Sequence, residues 1–331
     1  MMNYEIFKEV VKEKILDYLP SEYANAKVEV RSINKINQVK DAMDIRPQGS
    51  KLAPTIYLND LYDEYKYSND INRIMEKAGE IVTHALKNNG YVRSDVDMDS
   101  LKENITFMLI NTEQNKEMLA NVPHRDFQDL SIIYRSVLAV DDHGIQSVTI
   151  TNAHAEAMGL TEKQLFDIAK VKTIEIMPPK IRSMNEIMKE MFAHDGMPEE
   201  MIEVMLGEMA PNEQMYVISN EMGVNGAISM LYEDKLHQLA ENIETDLYIL
   251  PSSIHEVIAV STDMGDPDTL AAMVAEVNMD QVALEERLSN QVYHYDKDLR
   301  KLSLATDTPN KRLDGKVAEP QLIYSANEKS R

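Results

Sequence analysis

The apolar positions near the start of the chain recur at helical spacing. Ile6, Val10, Val11, Ile15, Leu16 and Leu19 form one stripe, which predicts an amphipathic helix closed by Pro20 and Ser21. The period then drops to two: Val28, Val30 and Ile33 alternate with polar residues, as do Met43 and Ile45. Pro54 to Leu58 reads as a third short strand, with Asn59 placed to cap the helix after it. From Ile71 to Ala85 the helical stripe returns with Ile74, Met75, Ala78, Ile81 and Val82, and Asn88, Asn89 and Gly90 supply the chemistry of a helix end.

Beyond residue 90 the pattern is mixed. Ile105 to Ile110 is apolar throughout and fits a buried strand or a buried helix. Phe127 to Val140 alternates, Asp141 to Gly144 reads as a turn, and Ile145 to Thr151 returns, which predicts a hairpin. Thr161 with Gln164, and Ser183 with Glu186, have capping-box spacing ahead of helical runs, and Pro178 and Pro179 break the chain between them. Met215 to Ser219 reads as a strand. Asp246 to Ser261 reads as two strands joined by a tight Pro251-Ser252-Ser253 turn, with His255 opening the second strand. Helices are expected at 234–241 and 268–278, and a last strand pair at 292–295 and 302–304. These elements predict an α+β fold of antiparallel sheets with packed helices. A small N-terminal part covers 1–90, a larger C-terminal part covers 91–305, and 306–331 is a polar, flexible tail. The hairpin at Asp141 and the strand pair at Pro251 are expected to share one sheet.

Composition changes this picture in two places. The 331 residues include 22 Met and 15 Tyr but only 5 Phe and no Trp, so the core is expected to be aliphatic and filled by flexible methionines. Charge is segregated: of a net −22, residues 185–300 alone carry −19, from 5 Lys and Arg against 24 Asp and Glu. Such a field disfavours direct nucleic-acid binding and favours a basic protein partner, or simply a well-solvated surface. With no Cys, thiol catalysis, thiolate metal sites and disulfides are excluded. The charged N-terminus and the lack of a long apolar run point to a protein with no signal peptide and no membrane association, placed in the cytoplasm.

Nucleotide-binding glycine loops, zinc-protease motifs and nucleophile elbows do not occur in the sequence. The eight His are scattered, so neither a metal site nor a cofactor is expected. His124-Arg125-Asp126 copies a kinase tripeptide without the rest of that machinery, and His154-Ala155-Glu156 reads as a helix start. Two sets of residues remain as candidates. Ser253 and His255, two apart on a strand, would share a face and could form a nucleophile and its base, while Glu256 would point away. The alternative is a serine bonded to its own turn and a histidine used for packing. Arg135 lies in the apolar run IIYRSVL and needs a carboxylate, with Asp126, Asp129 and Glu256 available; an anion-binding role is the other option. Arg135 and Glu256 are thus candidate binding residues.

Several runs also carry a resemblance: PTIYLNDLYDEY, LINTEQNKEMLANVPHRDFQDLSIIYR, ITNAHAEAMGLTEKQL, MYVISN, NGAISMLYEDKLHQLAENIETDLYILPSSIHEVI and MVAEVNMDQVALEERLSNQVYHYD. Together, from about Tyr4 to about Leu304, they resemble the bacterial domain-of-unknown-function family five-six-eight-eight, with a more distant similarity to family one-four-four-four. The resemblance implies no activity, cofactor or catalytic residue. The expected function is therefore a non-enzymatic accessory or protein-binding module with an acidic surface. A hydrolase using Ser253 and His255, or an acidic mimic of nucleic acid, are the alternatives.

Overall fold

A computed structural model describes residues 1–50, 53–87, 98–141, 144–207, 209–308 and 312–314. The chain divides into two compact units, Met1–Leu101 and Lys102–Arg331. The division falls after Leu101, later than the residue-90 boundary expected from sequence. The helix end expected at Asn88 to Gly90, the Asp142-His143 tip of the hairpin and most of the polar tail lie outside the described residues.

The first unit is a three-stranded antiparallel sheet with helices on one face. It contains α1 (Tyr4–Lys14), β1 (Lys27–Lys35), β2 (Gln38–Arg46), β3 (Thr55–Tyr57), α2 (Leu58–Ser68) and α3 (Ile71–Lys87), with the sheet order β1-β2-β3. Register sets Val28 opposite Ile45 and Val30 opposite Met43, so one face of the hairpin is apolar. That face packs with Phe7 and Val11 of α1, Leu61 and Tyr65 of α2, and Ile74, Met75, Ala78 and Val82 of α3. Gly79 lets α3 lie against the 3-10 turn Ile15–Tyr18, because a Cβ there would sit 2.6 Å from the Tyr18 carbonyl oxygen. Asn59 does not cap α2, whose N-cap is Tyr57; its Oδ1 instead accepts the Asp41 N–H at 2.6 Å and ties the helix to β2.

The second unit follows α4 (Met98–Glu103), which straddles the division, and holds two antiparallel sheets. The first comprises β4 (Ile105–Asn111), β5 (His124–Phe127), β6 (Leu130–Asp141) and β7 (Gly144–Thr149), with the short helix α5 (Lys116–Leu119) between β4 and β5. β6 pairs with all three of the other strands. The ambiguous run at Ile105 is therefore a strand, buried at every position of β4. Two helices follow, α6 (Asn152–Met158) and α7 (Glu162–Ile176). Thr161 and Gln164 form the expected capping box on α7, and Thr151 with His154 forms another on α6. Thr173 of α7 accepts the Phe107 N–H at 2.9 Å, so the helix closes the free edge of β4.

The second sheet has six strands, in the order β13-β12-β10-β11-β9-β8. Its elements are β8 (Pro179–Ser183), α8 (Met184–His194), α9 (Glu199–Leu206), β9 (Tyr216–Asn220), α10 (Glu233–Ile243), β10 (Leu247–Leu250), β11 (Val257–Ser261), α11 (Pro267–Asp280), β12 (Tyr293–Asp296) and β13 (Lys301–Leu304). β8 was not foreseen, because Pro178 and Pro179 look like a break; proline is tolerated here because it is the first residue of an edge strand. The Asp141 hairpin and the Pro251 strand pair lie in different sheets, which corrects the single-sheet expectation. Within the six-stranded sheet, β10 and β11 are central, with Leu247, Ile249, Val257, Ala259 and Val260 buried.

Candidate functional site

The 251–256 connection joins β10 to β11, and it is not the expected tight turn. β11 begins at Val257, so His255 and Glu256 precede the strand and strand alternation does not govern their directions. The connection instead pairs with the segment around Arg287. Ile254 N–H donates to Glu286 O at 2.8 Å, Leu288 N–H to Ser252 O at 3.0 Å, and Ser289 N–H to Pro251 O at 2.9 Å, with a bridge between Ser253 and Arg287.

Four groups converge on His255. Its own N–H donates to Ser253 Oγ at 3.0 Å, and its carbonyl oxygen accepts from Ser219 Oγ at 2.8 Å. The ring Nδ1 accepts the Asn225 N–H at 3.2 Å, and Nε2 lies 3.5 Å from Glu286 Oε1. A ring that accepts at Nδ1 carries its proton at Nε2 when neutral, facing the carboxylate. Asn225 holds a left-handed backbone (φ 54°) that turns its N–H toward the ring. Gly226 follows because a Cβ at that position would meet His255 O at 2.6 Å and Asn220 N at 2.8 Å. Asn220 fastens the same loop, donating from Nδ2 to Val224 O at 2.8 Å and accepting the Met222 N–H at 3.0 Å.

Ser253 and His255 are therefore neighbours joined by a backbone turn. The Ser253 hydroxyl oxygen accepts from the His255 N–H, and the imidazole's two nitrogens face Asn225 and Glu286. Glu256 is exposed and pairs with no cation among the described residues. Arg135 is far from its expected carboxylates in bonding terms. Its Nε donates to Ser147 Oγ at 3.0 Å, one terminal nitrogen to Ser147 O at 3.3 Å, and the other contacts Met108 Sδ at 3.6 Å. Burial pulls its guanidinium pKa below the ordinary value. Asp129 is engaged elsewhere, accepting from Ser289 Oγ at 2.6 Å and from the buried Tyr293 hydroxyl, and Asp126 accepts from Ser131 Oγ at 3.0 Å.

That second use of Asp129 belongs to a buried polar network which the sequence did not announce. Arg287 is 8% exposed and donates to the carbonyl oxygens of Val282 at 2.9 Å, Met279 at 3.4 Å and Leu313 at 2.6 Å. Asn278 Nδ2 donates to Ser289 O, and Asn111 Nδ2 to Leu288 O. Gln291 Oε1 accepts from Thr306 Oγ1 at 2.9 Å. The run MVAEVNMDQVALEERLSNQVYHYD thus supplies polar side chains that bind the four-stranded sheet, the 251–256 connection and the C-terminal strands together. The sequence does not disclose this network because its partners are far apart along the chain, 177 residues in the case of Asn111 and Leu288.

A polar cleft of about 460 Å³ lies between β8, β9 and α10, with Ile181, Tyr216, Lys235, Gln238 and Asn242 in its lining. Its lining acid, Glu186, accepts the Ser183 N–H at 3.0 Å in the capping box of α8. No group of His, Asp and Glu among the described residues could hold a metal ion. No described helix is long and apolar enough to cross a membrane.

No curated protein and no solved structure matches the chain. The distant likeness to family one-four-four-four finds no support in the comparison with family models. The model of the family of unknown function DUF5688 matches residues 4–297, nearly the whole chain, and the protein belongs to that family.

Proposed function

We propose that the protein is a non-enzymatic binding module whose C-terminal unit presents an acidic surface to a basic protein partner in the cytoplasm. The observation that carries this reading is the state of the few cations in residues 185–300. Arg300 is tied to Glu233 and Asp234, Lys297 lies 3.7 Å from Glu241, and Arg287 is buried among carbonyl oxygens. Against 24 acids, the five Lys and Arg of that stretch leave a net −19, and three of the five are held by groups of the fold itself. A surface charge of one sign steers an oppositely charged partner and sets a strong salt dependence.

The hydrolase alternative keeps Ser253 and His255, but their arrangement lends it no nucleophile–base pair. The mimicry alternative needs charges spaced like phosphates along one face, and the acids here are spread over α8, α9, α10, α11 and their loops.

Affinity capture from native lysate at low and high salt tests the reading. A basic partner retained at low salt and released at high salt is the expected result. Absence of a partner at low salt, or one retained equally at both, overturns it.

A further inference from the structure

The methionines divide into two populations. Met43, Met75, Met108 and Met230 are at most 1% exposed and fill the two cores, as flexible gap-fillers should. Residues 184–215 are different, with eight of the 22 methionines in that short stretch. α8 buries none of its residues and α9 buries only Ile202. Met201 is 56% exposed, Val204 85% and Met205 59%. Their i, i+3, i+4 spacing puts these three on one continuous stripe of α9. Met191, Met209 and Met215 are also exposed along the same hairpin and its exit.

A solvated stripe of large apolar side chains on a helix marks an interaction site rather than scatter. Methionine suits such a surface because its unbranched, polarisable side chain adapts to partners of varied shape. The surround identifies the partner. Residues 184–215 carry eight Asp and Glu against a single Lys, Lys189. Glu199, Glu200 and Glu203 are exposed on α9 beside the stripe. An apolar stripe within an acidic rim is complementary to a helix with apolar residues on one face and Lys or Arg on its flanks. A second copy of this chain would bring the same negative charge to the contact and be repelled.

The hairpin is held ready for such a contact. Met184 N–H donates to Met215 O at 2.8 Å, closing its base, and Ser183 and Glu186 cap α8 reciprocally at 3.1 and 3.0 Å. Arg182 pairs with Glu190 at 2.6 Å and braces the first turns of α8 against β8.

We infer that the outer face of α9, formed by Met201, Val204 and Met205 inside an acidic rim, is the docking surface for a basic amphipathic helix of a partner protein. The inference rests on the acidic-module reading and adds the chemistry of the partner and its place of contact. It is tested with two synthetic peptides of one composition, rich in Leu and Lys with a single Trp. One is arranged to be amphipathic as a helix and the other is scrambled. The chain has no Trp, so the peptide's emission alone reports binding. The expected result is a saturable blue shift with the amphipathic peptide only, and affinity lowered about tenfold or more by the triple variant M201Q/V204Q/M205Q. The three side chains are exposed, and circular dichroism checks that the variant keeps the fold. Equal binding of the scrambled peptide, no binding of either peptide, or binding unchanged in the triple variant overturns the inference. So does a wild-type dimer that the triple variant abolishes in sedimentation. If the triple variant still captures a salt-sensitive basic partner from lysate, the docking surface is wrong and the acidic-module reading stands. If the wild type captures none, that reading falls by itself.

Discussion

His255 accepts the backbone N–H of Asn225 at its Nδ1, 3.2 Å away, across thirty residues of chain. The contact fixes the imidazole as a structural acceptor that holds the loop between β9 and the 3-10 turn Gly226–Leu231. His255→Phe keeps an aromatic ring but leaves the half-buried Asn225 N–H without its acceptor. The variant is expected to lose about 1–3 kcal/mol of stability, the cost of an unsatisfied buried donor. Chemical denaturation of both proteins measures it, and an unchanged midpoint would show that the contact contributes nothing.

Gly226 occupies the tightest point of the same joint. A methyl group there must displace the His255 carbonyl and the Asn220 N–H, both backbone atoms. Gly226→Ala is therefore expected to cost about 1–3 kcal/mol or more, in the range of overpacked sites. Gly207 has open space around its Cβ position but a φ of 63° with ψ 179°, a region open almost only to glycine, so Ala there is expected to cost about 1–3 kcal/mol through backbone strain alone. Thermal melts of the two variants compare crowding with backbone strain directly.

Arg287 anchors three carbonyl oxygens from two stretches of chain. Arg287→Met fills much of its volume and removes the donors. The expected loss is about 2–4 kcal/mol, with faster hydrogen exchange at Ile254 and Leu288, whose N–H groups pair this segment to the 251–256 connection. Exchange quickened only by the global loss of stability, uniformly and with no local signature at Ile254 and Leu288, would contradict the role of the network.

Glu233 at the acid end and Tyr232 at the alkaline end are two of the groups that shape the pH dependence of stability. The Arg300 guanidinium, helped by the Tyr295 hydroxyl, holds the Glu233 carboxyl at about 2, against 4.5 ordinarily. A lowered folded value means stability that is present above the ordinary value and is lost as pH falls toward 2. Burial raises the Tyr232 hydroxyl to about 12, from 10. A raised folded value means stability that is complete below pH 10 and declines as pH climbs through 12. Urea midpoints across pH should show a shallower acid limb in Glu233→Gln and a shallower alkaline limb in Tyr232→Phe. The alkaline effect will be partial, because Tyr134, Tyr293 and Tyr295 are shifted in the same direction.

Local signals in the sequence read well where the interaction is local. The capping boxes at Thr161 and Ser183 need only residues three apart, and both form. The helical stripe on α3 and the alternation on β1 and β2 are likewise carried by neighbouring residues. What stayed hidden depends on distant partners. Glu286 reaches His255 from 31 residues away, a distance that no spacing rule reports. Asp129 was a candidate for Arg135 by proximity in the chain, yet its partners are Ser289 and Tyr293. The methionines could not be sorted into core and surface by composition, since the same residue type serves both. Strand alternation counted from His255 puts Ser253 and His255 on one face, but β11 begins at Val257, so the alternation does not reach them.

Ser183 is both the last residue of β8 and the N-cap of α8. No linker separates the edge of the six-stranded sheet from the helix, so sheet register dictates the azimuth of the whole hairpin. Deleting one residue from β8 would shift its pleat by one position and reverse the face of the sheet toward which α8 leaves. The fold could survive such a change while the methionine stripe swept away from its approach direction. The strand therefore works as an indexing device, and its length is as much a determinant of what can dock as the side chains on α9.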